Sequence, residues 1–426
     1  MHHRDFGGLI DARPREVIHA RSETDIVAAL RQARDTGVSV SVQGAGHSCH
    51  GQSLSRGGLL VVNREDAAPA VLTGELVEAS GRARWRDVEK VLNRAGRTVP
   101  VLADYLSLTV GGTISVGGYG VESVQRGAQV DHVTRLRLIT PDGRARWCSR
   151  DEDAELFHFA LAGMGQVGVI ERAVLATAPY ARYTTLFIYR HRSLAELIES
   201  LAWMVVPGAN LPSFFKAQEA NGRVISVYGV HAATWTEARR AAPPAGAPAG
   251  PARRVICRHY RHWRDRAVKI WLARYAGHRR LWSDYLLDHR GLAAFGARLD
   301  RESRDNLFAG CLKCIYIVAI RRVPRTRPVP FEASDAIAGP MVFGVGMYAM
   351  IPPRRPDLVA AVRAGAAGCL TEAIDRGGRP YLYGWHELSE AQRQHIYGAA
   401  YDRLTVLKKE LDPDGVFQPH QFGISD

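Results

Sequence analysis

The sequence predicts an α+β protein with two domains. Three observations carry that expectation. Helical and strand patterns alternate irregularly over the first 180 or so residues. Beyond them, β-rich runs are separated by longer helices. A chain of 426 residues, 46% of them hydrophobic and 23% charged, can also bury more than one core. No run of eighteen apolar residues occurs, so no membrane span is predicted. The opening "MHHRDFGGLIDARPREV" lacks a charged-then-apolar leader, so a soluble, cytoplasmic protein is expected.

Residues 16–63 read strand, helix, strand, loop, strand. Ser22 is placed to cap "ETDIVAALRQARDTG", and Gly37 to end it. "VSVSV" alternates as a strand should, and "WRDVEKVLNRAG" (85–96) repeats the helix signature with a closing glycine. "LRLITPDGRARWCS" predicts a hairpin turning on Pro141-Asp142-Gly143, followed by a helix in "DAELFHFALAG" and a strand in "VGVIERAVLATAP". From about 181 to 375, strands are expected at "TTLFIYR", "RVISVYGV", "KCIYIVAIRRV" and "VFGVGMYAMI". These boundaries give a first domain at 1–180, a second at 181–375 and a C-terminal segment at 376–426. The Pro/Ala/Gly tract 241–252 is expected to be a mobile surface loop.

Net charge is +13, and residues 253–280 alone hold ten Arg/Lys against one acid, Asp265. Apolar positions there recur at helical spacing, predicting one basic amphipathic helix packed by Trp263 and Trp271 with a solvated arginine face. An acidic substrate or an acidic carrier protein are the partners such a face would suit. Nucleic acid is not expected, because no recognition motif accompanies the charge. Six scattered cysteines suggest reduced thiols rather than a disulfide framework. "CLKC" at 311–314 stands alone, and His259 and His262 lack a third ligand, so no metal site is predicted.

Two glycine-rich segments stand out. "GAGHSCHGQS" surrounds His47 with Gly44, Gly46 and Gly51, and "ADYLSLTVGGTISVGGYG" (103–120) strips side chains from a longer stretch. Glycines permit positive φ and let backbone N–H groups converge on an anion. Together the two segments suit a dinucleotide with its pyrophosphate between them. "GMGQVG" at 163–168 matches G-x-G-x-x-G, but a helix precedes it and a strand follows, the reverse of the Rossmann order.

These segments, with "DFGGLI", "DYLSLTVGGTIS", "LFHFALAGMGQVGVIERA" and the terminal "LDPDGVFQPHQ", resemble flavoproteins of the vanillyl-alcohol-oxidase/PCMH superfamily, most of all cytokinin dehydrogenases. The resemblance covers most of 5–180 and 379–422. It implies a PCMH-type FAD-binding domain of two α+β subdomains and a substrate domain with an antiparallel sheet flanked by helices. It implies FAD bonded covalently through His47, with Gly44, Ala45, Gly46, Ser48 and Gln52 around the flavin and its phosphates. Thr109, Gly111, Gly112, Thr113, Ser115 and Tyr119 would serve in the second loop, Ile170 through its backbone, and Tyr381, Gln418 and Gln421 in the tail. Tyr105 occupies the position where some relatives carry a second attachment cysteine, so a single link is expected. Cys49 should face elsewhere, and His50 is an alternative attachment point outside the motif.

The resemblance also implies that Asp104 accepts the proton released when a substrate amine gives its hydride to flavin N5, with its pKa shifted towards the working pH. Tyr383, Trp385 and His386 are candidate substrate contacts. Oxygen or another acceptor would reoxidise the flavin. The middle of the chain does not carry the resemblance, so oxidation of a CH–OH group on an alcohol, sugar or carrier-bound intermediate stands as the alternative to C–N oxidation.

Overall fold

The computed structural model describes residues 3–65, 70–301, 304–325 and 327–417. Its architecture is α+β, built on three main sheets. The first is a three-stranded parallel sheet in the order Glu16–His19, Leu59–Val62, Val40–Gln43. Helix Glu23–Thr36 covers it, burying Ile26, Ala29, Leu30 and Ala33 against Val40, Leu59 and Val61. Ser22 caps the helix by accepting from the Asp25 N–H, and Gly37 ends it at φ 65°, as the sequence pattern requires. Phe417 adds alongside Val40, and the Val40 N–H donates to the Val416 carbonyl at 2.7 Å.

The second sheet has five antiparallel strands in the order Ala145–Ser149, Val133–Ile139, Val169–Ala176, Leu76–Ser80, Ala70–Thr73. The expected hairpin at 141–143 joins its first two, and helices Trp85–Arg94 and Ala154–Ala160 pack on it.

The third sheet has eight antiparallel strands. Its order is Arg253–Arg258, Tyr183–His191, Arg223–Ala232, Phe214–Ala220, Leu312–Arg321, Met341–Ile351, Arg279–Leu287, Arg379–Pro380. One face carries helices Leu194–Glu199, His289–Arg301 and Leu358–Asp375, and the other faces the first two sheets. In Arg279–Leu287 the period-two alternation sends Leu281, Tyr285 and Leu287 to the helices and Trp282, Asp284 and Leu286 to the opposite face. Since Arg379–Pro380 completes this sheet, it extends past the boundary at 375 that the sequence suggested.

Two expectations change. The basic segment 253–280 is not one helix: it is a strand, then helix Tyr260–Arg274, then the start of another strand. The break falls at His259, held at φ 51° with its N–H donating to the Arg182 carbonyl. The tract 241–252 is also anchored in part. Gly246 lies so close to the Trp203 ring that a Cβ would collide with it, and Ala241 and Ala247 pack on the main core. Among the described residues no helix is long and apolar enough to cross a membrane.

Candidate active site

Between the first two sheets and the open face of the third lies a cavity of about 530 Å³. The two glycine segments form one wall and meet at a single point: a Cβ on Gly44 would collide with the Thr109 hydroxyl. Thr109 in turn accepts from the Gly112 N–H at 3.3 Å, starting the short helix Val110–Ile114 where a plain loop was expected. Gly46 sits at φ 69° and Gly118 at φ 73°, conformations that side-chain-bearing residues rarely adopt. Among the described residues the N–H groups of Ala45, Gly46, His47 and Ser48 make no hydrogen bond. Four consecutive unpaired amides at a cavity wall fit an anion such as a pyrophosphate.

His47 stands at the crown of this wall. Its ring packs on Phe6 (centroids 3.8 Å apart), Tyr105 (5.1 Å) and Trp282 (5.8 Å). Burial, helped by the nearby Arg280 charge, lowers its pKa to about 3, so the imidazole is neutral and keeps a ring nitrogen lone pair. "DFGGLI" earns its place here: Phe6 covers the ring, its N–H donates to the Ser48 carbonyl at 3.1 Å, and the Gly7 carbonyl accepts from Arg280 N–H at 2.7 Å. Cys49 is buried beside Trp282 and Met350, and His50 against Trp385, both outside the cavity wall.

The structure brings most of the predicted cofactor residues together. Gly44, Ala45, Gly46, His47, Ser48, Gln52, Thr109, Gly111, Gly112, Thr113, Ser115, Tyr119, Ile170 and Tyr381 all line this cavity. Three of them have side chains committed elsewhere, among them Tyr119, whose hydroxyl donates to Glu332. Gln52 donates to the carbonyls of Leu382 (2.8 Å) and Gly384 (2.9 Å) and accepts from His50 N–H (2.7 Å), clamping the first glycine loop to the C-terminal turn. The Thr113 hydroxyl donates to Gln129 at 2.6 Å and accepts from the Trp85 indole at 2.8 Å. Gln418 and Gln421 lie outside the described residues. The "GMGQVG" segment, no Rossmann site but part of the flavoprotein resemblance, also belongs to the wall through Met164, Gly165 and Gly168.

Asp104 lines the cavity but not in the state expected. It is ion-paired to Arg264 and accepts from Tyr316 Oη at 2.9 Å. Burial pushes its pKa up, but Arg264, Lys216 and the Tyr316 hydrogen bond outweigh this and hold it below the ordinary value. The basic helix is the cause. Arg264 and Arg261 point inwards rather than into solvent, and Arg261 bonds Glu122 (2.8 Å), Glu89 (3.3 Å) and the Val99 carbonyl (2.9 Å). Trp263 is exposed, whereas Ala267, Val268 and Trp271 of the same helix line the cavity.

Of the candidate substrate contacts, Tyr383 lines the cavity and Trp385 and His386 do not. The chain turns after Tyr381, with Gly384 N–H donating to the Tyr381 carbonyl at 3.1 Å, and this sends Trp385 and His386 into the core beside His50. Burial, with the neighbouring His50, lowers the His386 pKa to about 3. Below about pH 6.5 the unfolded chain therefore takes up a proton that folded His386 refuses, so stability falls as pH drops from about 6.5 towards 3. His386→Leu is expected to shallow this acid limb in melting temperatures measured across that range.

Residues that sequence reading missed lie on the open face of the third sheet: Trp282, Asp284, Tyr316 and Tyr348. Asp284 accepts from Tyr383 Oη at 2.8 Å and Tyr348 Oη at 3.2 Å. Only the alternation along strand Arg279–Leu287 could have revealed it.

Comparison with known proteins agrees with this geometry. Residues 14–149 match the FAD binding domain family. The chain thus carries an FAD-binding domain over those residues. Over 172 residues it is 40% identical to an "uncharacterized oxidoreductase ORF5 in fasciation locus" of Rhodococcoides fascians, covering 40% of this chain and 39% of that protein. It is 35% identical over 183 residues to cytokinin dehydrogenase 7 of Oryza sativa subsp. japonica (41% of this chain, 35% of that one). It is 31% identical over 184 residues to cytokinin dehydrogenase 1 of Arabidopsis thaliana (41% and 32%). The matched stretch thus spans less than two fifths of these relatives' length.

Proposed function

We propose that this chain is an FAD-dependent oxidoreductase, an oxidase or dehydrogenase, whose flavin is tethered once, through His47. The observation that carries the reading is the wall itself: unpaired amides at 45–48, abutting glycine loops and a neutral imidazole form one wall of the cavity, and that wall lies within the matched FAD-binding domain. When bound, FAD supplies a two-electron acceptor for a hydride from the substrate. The chain's own residues do the rest. The amides of Ala45–Ser48 hold the pyrophosphate, Phe6 and Tyr105 fix the plane of the His47 ring, and Trp271, Trp282 and Tyr348 shield the reacting carbon from water.

The substrate we propose is a small-molecule amine, oxidised at a C–N bond, in line with the cytokinin dehydrogenases among the relatives. A CH–OH group on an alcohol, a sugar or a molecule borne by an acidic carrier is the second reading. It is favoured by exposed Arg266, Arg274 and Arg279, on or beside a helix that also lines the cavity. Oxygen or another acceptor would take the electrons onwards. Among the described residues no disulfide joins the six cysteines, which suits a reducing cytoplasm.

Acid precipitation tests the tether. The washed protein should stay yellow, and the tryptic fragment containing His47 should carry the mass of FAD. A colourless precipitate with an unmodified fragment would sink the tether. The substrate class is tested by anaerobic bleaching of the flavin across amines, alcohols and sugars.

A further inference from the structure

We propose that Asp284, rather than Asp104, accepts the proton that the substrate releases as it is oxidised. The inference rests on the oxidoreductase reading above and adds a residue to it. Two carboxylates line the same cavity, and their surroundings differ in kind. Asp104 faces a guanidinium, with Lys216 close by, and is locked in an ion pair. Asp284 faces neutral donors only: Tyr383 on one oxygen and Tyr348 on the other. Among the described residues it forms no salt bridge. Where two titratable groups in one site are pushed apart in this way, the environment assigns their roles. A carboxylate already neutralised by arginine has little affinity for a proton, whereas one held by hydroxyls alone has much more.

The fold makes room for this acid. The residue paired across from Asp284 on the neighbouring strand is Gly346. A Cβ there would collide with the carboxylate and lie 2.8 Å from Tyr348 Oη. Trp282, two residues earlier on the same face, reaches the His47 ring, so the strand that bears Asp284 comes close to the predicted tether. Burial raises the pKa of Asp284 to about 7, with the two tyrosine hydrogen bonds opposing it. The other titratable groups around it are Tyr285 on its own strand, Cys49 and Tyr381 on the loops and Cys314 on strand Leu312–Arg321 of the same sheet. Burial holds every one of these above its ordinary value, so all are neutral near pH 7 and none competes for the proton.

The step balances simply. The substrate C–H bond breaks and its hydrogen leaves with both electrons to the bound FAD. The adjoining N–H or O–H bond breaks and its proton goes to an Asp284 carboxylate oxygen, leaving C=N or C=O. Asp284 then returns its proton to solvent.

The test uses the flavin-loaded protein. In wild type, anaerobic bleaching by the best amine or alcohol of the panel should quicken as pH rises through about 7, and a carboxylic-acid infrared band, separated from those of Asp5 and Glu332 by its absence in Asp284→Asn, should vanish over the same range. Asp284→Asn should keep the flavin colour, lose about 10²–10⁴-fold in bleaching rate, and lose both the pH limb and the infrared band. Tyr383→Phe removes a hydrogen bond that favours the ionised form, so limb and band should both move to higher pH. That arm decides the matter if Asp284→Asn does not fold. Survival of the limb in Asp284→Asn, or an unmoved band in Tyr383→Phe, overturns the proposal. A wild-type protein without flavin would instead refute the oxidoreductase reading, while the infrared band still tests Asp284 itself.

Discussion

Replacing Arg261 with alanine is expected to cost about 3–5 kcal/mol of stability at neutral pH. The side chain is 14% exposed, and its partners Glu89 and Glu122 are 1% and 4% exposed. It binds both carboxylates, the Thr98 hydroxyl and the carbonyls of Val99 and Pro100. Its removal leaves two buried acids without the cation they share. Burial already raises the Glu122 pKa despite Arg261, and without it the value rises further. The folded variant would then hold protons that the unfolded chain gives up above its ordinary carboxylate pKa. Its deficit relative to wild type should therefore shrink as pH falls from about 7 to about 5. Urea denaturation at both pH values measures this, and an equal deficit at both would mean that the loss is one of packing rather than of charge.

His47→Ala should abolish acid-stable flavin colour altogether while leaving the fold intact. The ring is partly exposed to the cavity and makes no side-chain hydrogen bond among the described residues, so its loss strands no polar partner. Phe6 and Tyr105 would close in on the space, at a cost of about 1–2 kcal/mol. The amides of residues 45–48 do not depend on the imidazole, so FAD added in excess should still bind reversibly. Visible spectra before and after acid precipitation separate the two effects. If colour survived precipitation in His47→Ala, the tether would have to be elsewhere.

Much of the cofactor wall was legible because glycine is dictated there by sterics. Gly44 leaves no space for a Cβ beside Thr109, Gly120 none beside the Leu102 carbonyl, and Gly118 needs a left-handed backbone. Such needs are local and leave a mark in the sequence. The opposite wall left none. Asp284 owes its setting to Tyr348 and Tyr383, which are 64 and 99 residues away, and no local pattern encodes that meeting. The basic stretch 253–280 misled for a related reason. Its apolar spacing is genuinely helical over 260–274, but the flanking arginines belong to strands whose partners lie elsewhere in the chain. Reading its charge as solvated failed for Arg261 and Arg264 because Glu89, Asp104 and Glu122, which absorb them, lie 139 to 172 residues earlier in the chain. Trp385 and His386 were misassigned because a turn at Gly384 ends the alternation that Tyr381 and Tyr383 obey.

The pairing of Val40 with Val416 and Phe417 bears on how the molecule is made. A ribosome releases the early βαβ segment long before its neighbouring backbone has been synthesised, and Gln52 must likewise wait for Leu382 and Gly384. Nascent chains truncated near residue 375 should thus present a half-built cradle with open hydrogen-bonding groups, a state prone to capture by chaperones. Cofactor loading then becomes a late event in biogenesis, coupled to arrival of the last strand rather than to completion of the domain that bears the histidine.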